Sequence, residues 1–195
     1  ATHEELAQLQ MAFQGKIVLP VDPEYDQDRQ GNPLYPEYPK VIAYCDGASD
    51  VQIALQWAHA KPDWVVTCRG GGHSTAGFSV NNGMVLDVSN INHVLIDKAS
   101  MTARVDTGAN WGQVIAELSR EQVHTVTGGC PTVGVAGYTL GGGYGFTSRE
   151  FGMGLDTALQ MTIMLQDGTT VTATPANQYQ DLFWAMCGGT GNNFG

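Results

Sequence analysis

Apolar residues in the first half of the chain run in short, nearly unbroken blocks, each closed by polar or glycine-rich sequence. "VIAYC" (Val41–Cys45) and "WVVTC" (Trp64–Cys68) have the length and branching of buried strands. Between them, "SDVQIALQWAHA" places Val51, Leu55 and Ala58 on one helical face and opens with Ser49 and Gln52 at capping-box spacing. Strand, helix and strand in that order predict a βαβ unit, most simply a parallel strand pair with a crossover helix.

Farther along, "MVLDVS", "HVLIDK" and "TARVDTG" read as short strands at close intervals. "NWGQVIAELSREQ" (Asn110–Gln122) has the spacing of an amphipathic helix, with Asn110 as its cap. "DTALQMTIMLQDGTTVTAT" predicts two strands joined at Asp167-Gly168, a strong hairpin signal. "NQYQDLFWAMC" (Asn177–Cys187) reads as a last short helix. Residues 20–40, rich in proline, tyrosine and acid, read as an extended surface loop. The pattern therefore predicts an α+β chain with βαβ character and an antiparallel segment.

Composition narrows the partners. The 195 residues include 43% hydrophobic and only 14% charged positions, enough apolar sequence for a sizeable core. Net charge is −10 with 9 basic residues, and no lysine or arginine run occurs. Nucleic acid and anionic membrane surfaces, which require a basic patch, are excluded as expected partners. No stretch of about 18 consecutive apolar residues offers a membrane span. Ala1–Leu6 lacks a signal-peptide pattern, which leaves the compartment open between cytoplasm and a secreted form whose signal has been removed.

Four cysteines (Cys45, Cys68, Cys130, Cys187) lie far apart without a CxxC, against zinc or thioredoxin-type chemistry, and no metal site is expected. Two disulfides are conceivable, but Cys45 and Cys68, inside apolar runs, are expected to be buried as small hydrophobes.

The 25 glycines are the anomaly, clustered at Gly70–Gly72, Gly128–Gly145 and Gly188–Gly195. Three glycines in "CRGGGHSTAG" imply a backbone shape or close approach that a Cβ would forbid. Such a loop at a strand end is either a phosphate-binding nest or a plain tight turn. No GK[ST] follows it, no cluster fits GxGxxG, and neither GxSxG nor HExxH occurs. A phosphate ligand would therefore be held in some other architecture.

Five motifs, in order, carry a resemblance. They are "YPKVIAYCDGASDVQIALQWA", "RGGGHS", "GGCPTVGVAGYTLGGGYG", "FGMGLDTALQMTIMLQDG" and "DLFWAMCGGTGNNFG". Together they resemble the flavin domain of the vanillyl-alcohol-oxidase (p-cresol methylhydroxylase, PCMH-type) family, nearest its berberine-bridge-enzyme-like branch. The resemblance covers roughly Pro39 to Gly195, so residues 1–38 are set apart as an N-terminal extension and 39–195 as the FAD-binding domain. It implies two α/β subdomains, a small βαβ lobe and a larger, mainly antiparallel sheet with helices.

By that resemblance, Arg69, Gly70, Gly71, Gly72, His73 and Ser74 wrap the FAD pyrophosphate. Gly129, Cys130, Val133, Gly134, Gly137, Gly141, Gly142 and Gly145 line the cofactor. The family attaches flavin at two points, and His73 and Cys130 occupy the matching positions. This implies bicovalent FAD, 8α-histidyl and 6-S-cysteinyl. Imidazole and thiolate suit the task as nucleophiles toward an electron-poor ring.

His3, His59, His93 and His124 read as surface groups, Cys187 as packing, Tyr138 and Tyr144 as wall residues, and Asp156 as a loop anchor. "CGGTGNNFG" departs from the plain glycine run of relatives, so its contact is expected to differ. The resemblance further implies an oxidase that takes a hydride from an alcohol, sugar, alkaloid or polyketide-type small molecule and passes electrons to O2. Relatives continue past the point matching Gly195 through a substrate domain that holds the catalytic base, so no catalytic residue is named. The alternative expectation is a flavin-binding module without turnover, or a fragment completed by a partner chain.

Overall fold

A computed structural model describes residues 1–31 and 33–195. In chain order the first half contains α1 (His3–Ala12), β1 (Lys16–Val18), α2 (Tyr25–Asp28), β2 (Val41–Tyr44), α3 (Ala48–His59), β3 (Val66–Arg69) and β4 (Met84–Asp87). The second half contains β5 (Val94–Asp97), β6 (Thr102–Val105), α4 (Trp111–Glu121), α5 (Val135–Leu140), α6 (Ser148–Phe151), a 3-10 turn (Gly154–Thr157), β7 (Met161–Met164), β8 (Thr170–Ala173) and α7 (Gln180–Met186). The α+β class expected from the pattern is what the chain adopts.

One sheet has the order β1-β2-β4-β3. β2 and β3 are both parallel to β4, as a crossover helix requires, but β4 lies between them rather than leaving them adjacent. The reason is burial. Met84, Val85, Leu86 and Asp87 are all buried, whereas β3 alternates with exposed Cys68, so β4 takes the centre and β3 an edge.

Described residues before Pro39 are built into this lobe. β1 pairs antiparallel with β2, and Leu9, Phe13 and Ile17 share a core with Val41, Ala43, Ala54, Met84 and Leu86. The expected capping box at Ser49 and Gln52 does not form, because α3 starts two residues earlier, at Ala48, with Gly47 as its cap. Asp50 organises the region instead. Its buried carboxylate accepts from the backbone N–H groups of Gln14, Gly15 and Asp46, each at 2.9 Å. Sequence spacing could not reveal this, since two of those donors lie on the far side of β2.

The antiparallel part, expected as one larger sheet, consists of two hairpins, β5–β6 and β7–β8. Each buries its apolar face on its own helix. Val94, Ile96 and Val105 pack against Trp111, Val114 and Leu118 of α4, while Ile163, Val171 and Ala173 pack against Phe183 and Met186 of α7. α4 carries the capping box of Asn110 with Gln113. The Asp167-Gly168 turn forms as expected, with Gly168 at φ +83°, a conformation open to glycine without a Cβ penalty.

All four cysteines are free, and Cys68 is exposed rather than buried, a correction that follows from its place on the edge strand. That edge is covered by the "CGGTGNNFG" segment. Cys68 N–H donates to Asn192 Oδ1 (2.6 Å), and Asn192 Nδ2 donates to Cys68 O (3.4 Å) and Phe78 O (3.3 Å). A side-chain amide here imitates the missing neighbour strand.

Candidate active site

β3 delivers the first glycine loop, and Arg69 sets where it leaves the sheet. Arg69 faces Asp87 across the β3–β4 register. Its Nε donates to Asp87 Oδ2 (2.6 Å), Nη1 to Asp28 O (2.7 Å) and Nη2 to Tyr44 Oη (3.4 Å). This pair is buried. Arg69, expected among the cofactor contacts, thus has its side chain committed to the interior. Beside it, burial pushes the Tyr44 phenol up to about 12.

Beyond Arg69 the backbone N–H groups of Gly70, Gly71, Gly72, His73 and Ser74 donate to no acceptor among the described residues. The loop closes where Phe78 N–H donates to Ser74 Oγ (3.1 Å). Successive unpaired donors at a strand end are the chemistry of an anion nest.

The second loop is anchored on the start of α4. Trp111 N–H donates to Val133 O (3.0 Å), Gly112 N–H to Pro131 O (2.8 Å) and Val135 N–H to Ala109 O (2.9 Å). Val133, half-buried, packs against the α4 core. Six of the residues expected to form loop, Val135–Leu140, form α5, whose shortness and glycine content hid it from the pattern.

The two loops meet backbone to backbone. A Cβ on Gly71 would lie 2.3 Å from Gly134 N and 2.6 Å from Thr132 O, and one on Gly134 would lie 2.6 Å from Gly71 N. The tight approach that demands glycine at these positions is therefore loop against loop. Gly145 is likewise closed off by Thr127 O, and Gly129 faces the Phe146 ring. Gly141 ends α5 and Gly142 lies beside Met153 and Leu155. Gly137 keeps open space on its Cβ side, whereas a Cβ on Gly70 or Gly72 would make ordinary contact with Thr107 O (3.5 Å) or Arg69 Cδ (3.9 Å). Gly71→Val is expected to force the loops apart, at a cost of at least about 1–3 kcal/mol for overpacking. A urea unfolding midpoint equal to the parent's would contradict it.

This junction brings His73 and Cys130 to one point. His73 Nε2 lies 2.8 Å from Thr132 Oγ1, and Cys130 Sγ lies 3.4 Å from the same oxygen. Both side chains are exposed. The Thr132 hydroxyl, joined by neighbouring backbone N–H groups, holds the Cys130 thiol below its usual value. Thr132 is absent from the sequence-derived set. Its position two residues after Cys130 was the only local signal, and its contact with His73 arises solely from folding.

Asp156 accepts from Met153 N–H (2.8 Å) and holds its loop. Tyr138 packs edge-on against Trp111, with burial pushing its phenol up. Tyr144 is largely exposed. His93 pairs with Asp106 and His124 with Thr147 at the surface. Cys187 packs beside the α7 core, where burial raises its thiol. Among the described residues no group of three His, Cys, Asp or Glu could hold a metal, and no helix is long and apolar enough to cross a membrane.

Comparison with known proteins agrees with this geometry. Over 186 residues the chain is 34% identical to the FAD-linked oxidoreductase YgaK of Bacillus subtilis, covering 93% of this chain and 41% of that protein. It is 32% identical over 189 residues to (R)-6-hydroxynicotine oxidase of Paenarthrobacter nicotinovorans, covering 95% of this chain and 40% of the enzyme. The solved structure of Physcomitrella patens BBE-like 1 superposes with a TM-score of 0.88 at 31% identity, covering 94% of this chain and 40% of that one. The chain thus spans about two-fifths of the length of these relatives. Its fold is that of their PCMH-type flavin-binding portion. Residues 39–174 match the FAD binding domain family, and the chain belongs to it.

Proposed function

We propose that the chain holds FAD by covalent links from His73 to the 8α-methyl carbon and from Cys130 to carbon 6, with residues 39–195 forming the FAD-binding domain. One observation carries this reading: the junction of the glycine loops sets an imidazole and an activated thiol against a single hydroxyl, next to a run of unpaired backbone N–H groups. The donor chemistry fits the cofactor. The Gly70–Ser74 N–H groups suit the pyrophosphate, and two exposed nucleophiles suit attachment of the ring.

When bound, FAD supplies an acceptor for hydride from a C–H bond that bears a hydroxyl or amine. The residues of this chain bind and orient it. Arg69 and Asp87 fix where the first loop leaves the sheet, and the Gly71–Gly134 contact fixes the second loop against it. Gly137 leaves room for close backbone approach. No residue described is assigned as the catalytic base. In the whole protein the activity is that of an oxidase acting on a small alcohol, sugar, alkaloid or polyketide-type molecule, with O2 as electron acceptor. Bleaching of the flavin by substrate, with recovery in air, distinguishes that activity from a flavin-binding module without turnover.

The direct test is to denature the purified protein in acid, precipitate it and measure intact mass. Flavin retained on the polypeptide with the added mass of one FAD is the expected result. Flavin released into the supernatant would reduce His73 and Cys130 to ordinary contacts.

A further inference from the structure

One hydroxyl, that of Thr132, is shared by the two proposed attachment residues, although it lies 59 positions along the sequence from His73. Its placement is firm. The Cys130–Val133 turn closes through Val133 N–H to Cys130 O (3.3 Å), and the Gly71–Gly134 contact clamps that turn to the His73 loop.

A threonine hydroxyl has one proton to donate and lone pairs with which to accept. A thiolate can only accept. With Cys130 ionised, the proton of Thr132 goes to Sγ, and Oγ1 accepts from the group on its other side, the Nε2–H of His73. A neutral imidazole carries one ring proton, so placing it on Nε2 leaves the free lone pair on Nδ1.

We propose that Thr132 is the positioning residue of this site: it directs its proton to Cys130 Sγ, holds His73 as the Nε2–H tautomer, and so prepares Sγ and Nδ1 together as nucleophiles. The purpose of the arrangement rests on the proposed attachment of FAD at these residues, while the hydrogen bonds themselves belong to the flavin-free chain. The lowered Cys130 thiol agrees with it, since the Thr132 side chain is the largest cause and no charged side chain among the described residues contributes. His73 is the one other titratable group in the cluster.

The test uses the chain prepared free of flavin, alkylated with iodoacetamide across a pH series. Mass spectrometry of the residue-130 peptide separates its reaction from that of exposed Cys68. The parent midpoint is expected below the ordinary thiol value of about 8.5. Thr132→Val, which keeps the branched shape without the hydroxyl, is expected to raise it toward the ordinary thiol value. Thr132→Ala should do the same if valine disturbs the loop. Thr132→Ser should restore the parent midpoint, a rescue that a merely steric role would not produce. Nitrogen NMR of His73 should report the Nε2–H tautomer in the parent and Ser variant, and a mixture in the Val variant.

An unchanged midpoint or tautomer ratio without the hydroxyl, or no rescue by serine, overturns the proposal. If these shifts occur while FAD never attaches to the parent, the attachment reading fails and the role of Thr132 stands. If FAD attaches and the shifts are missing, the reverse holds.

Discussion

The double variant His73→Ala/Cys130→Ala will release all of its flavin on acid denaturation, whereas each single variant will keep one link. Peptide mapping should place the flavin of His73→Ala only on the residue-130 peptide, and that of Cys130→Ala only on the residue-73 peptide. The expectation follows from the geometry of the loop junction. His73 and Cys130 both contact Thr132 Oγ1, so one ring seated there lies within reach of both. The other cysteines are poor competitors. Cys45 is buried, with its thiol pushed up by burial, and Cys187 is half-buried with its thiol also raised. Cys68 is exposed but sits on the sheet edge beneath Asn192. Flavin remaining on the denatured double variant, or mapped to any third peptide, would show that the assignment is wrong.

Arg69→Met should be the most destabilising single change, at about 3–5 kcal/mol, because it leaves the Asp87 carboxylate buried without its partner. Asp87 would keep only Ser89, whose backbone N–H donates to Oδ1 (3.0 Å). The carbonyl of Asp28 would also lose its charged donor. Arg69→Lys should be intermediate, since an ammonium keeps the charge but cannot reach three partners with the guanidinium fork. Replacing both members, as Arg69→Met/Asp87→Leu, should recover much of the loss because no lone charge is left inside. Urea unfolding of the flavin-free chain checks this series. A parent-like midpoint for Arg69→Met, joined to weaker flavin uptake, would return Arg69 to the cofactor contacts and away from the sheet.

What was legible in the sequence is local. The Asp167-Gly168 hairpin, the α4 helix and its Asn110 cap depend on residues a few positions apart, where turn and capping chemistry decides the outcome without help from the fold. The five motifs in their order were enough to identify the flavin-binding family, since glycine spacing of that density is hard to reuse for another shape.

Contacts between distant residues were decided only by the tertiary structure. β4 enters between β2 and β3 because it alone is buried along its whole length, a competition among strands that no single strand displays. The N-terminal segment joins the core because β2 has a free edge and Asp50 offers its carboxylate to Gln14 and Gly15. The "RGGGHS" glycines announced a close approach, but not that Gly134 would be the partner of Gly71. For the same reason Thr132 could not be found from sequence. A hydroxyl two residues from a cysteine is unremarkable until the loops close and bring His73 to its other side. By itself the sequence determined several of the local elements, the family and the pair of candidate nucleophiles. The packing of one loop's backbone on the other, which only glycine permits at Gly71 and Gly134, decided that those two candidates meet at the Thr132 hydroxyl.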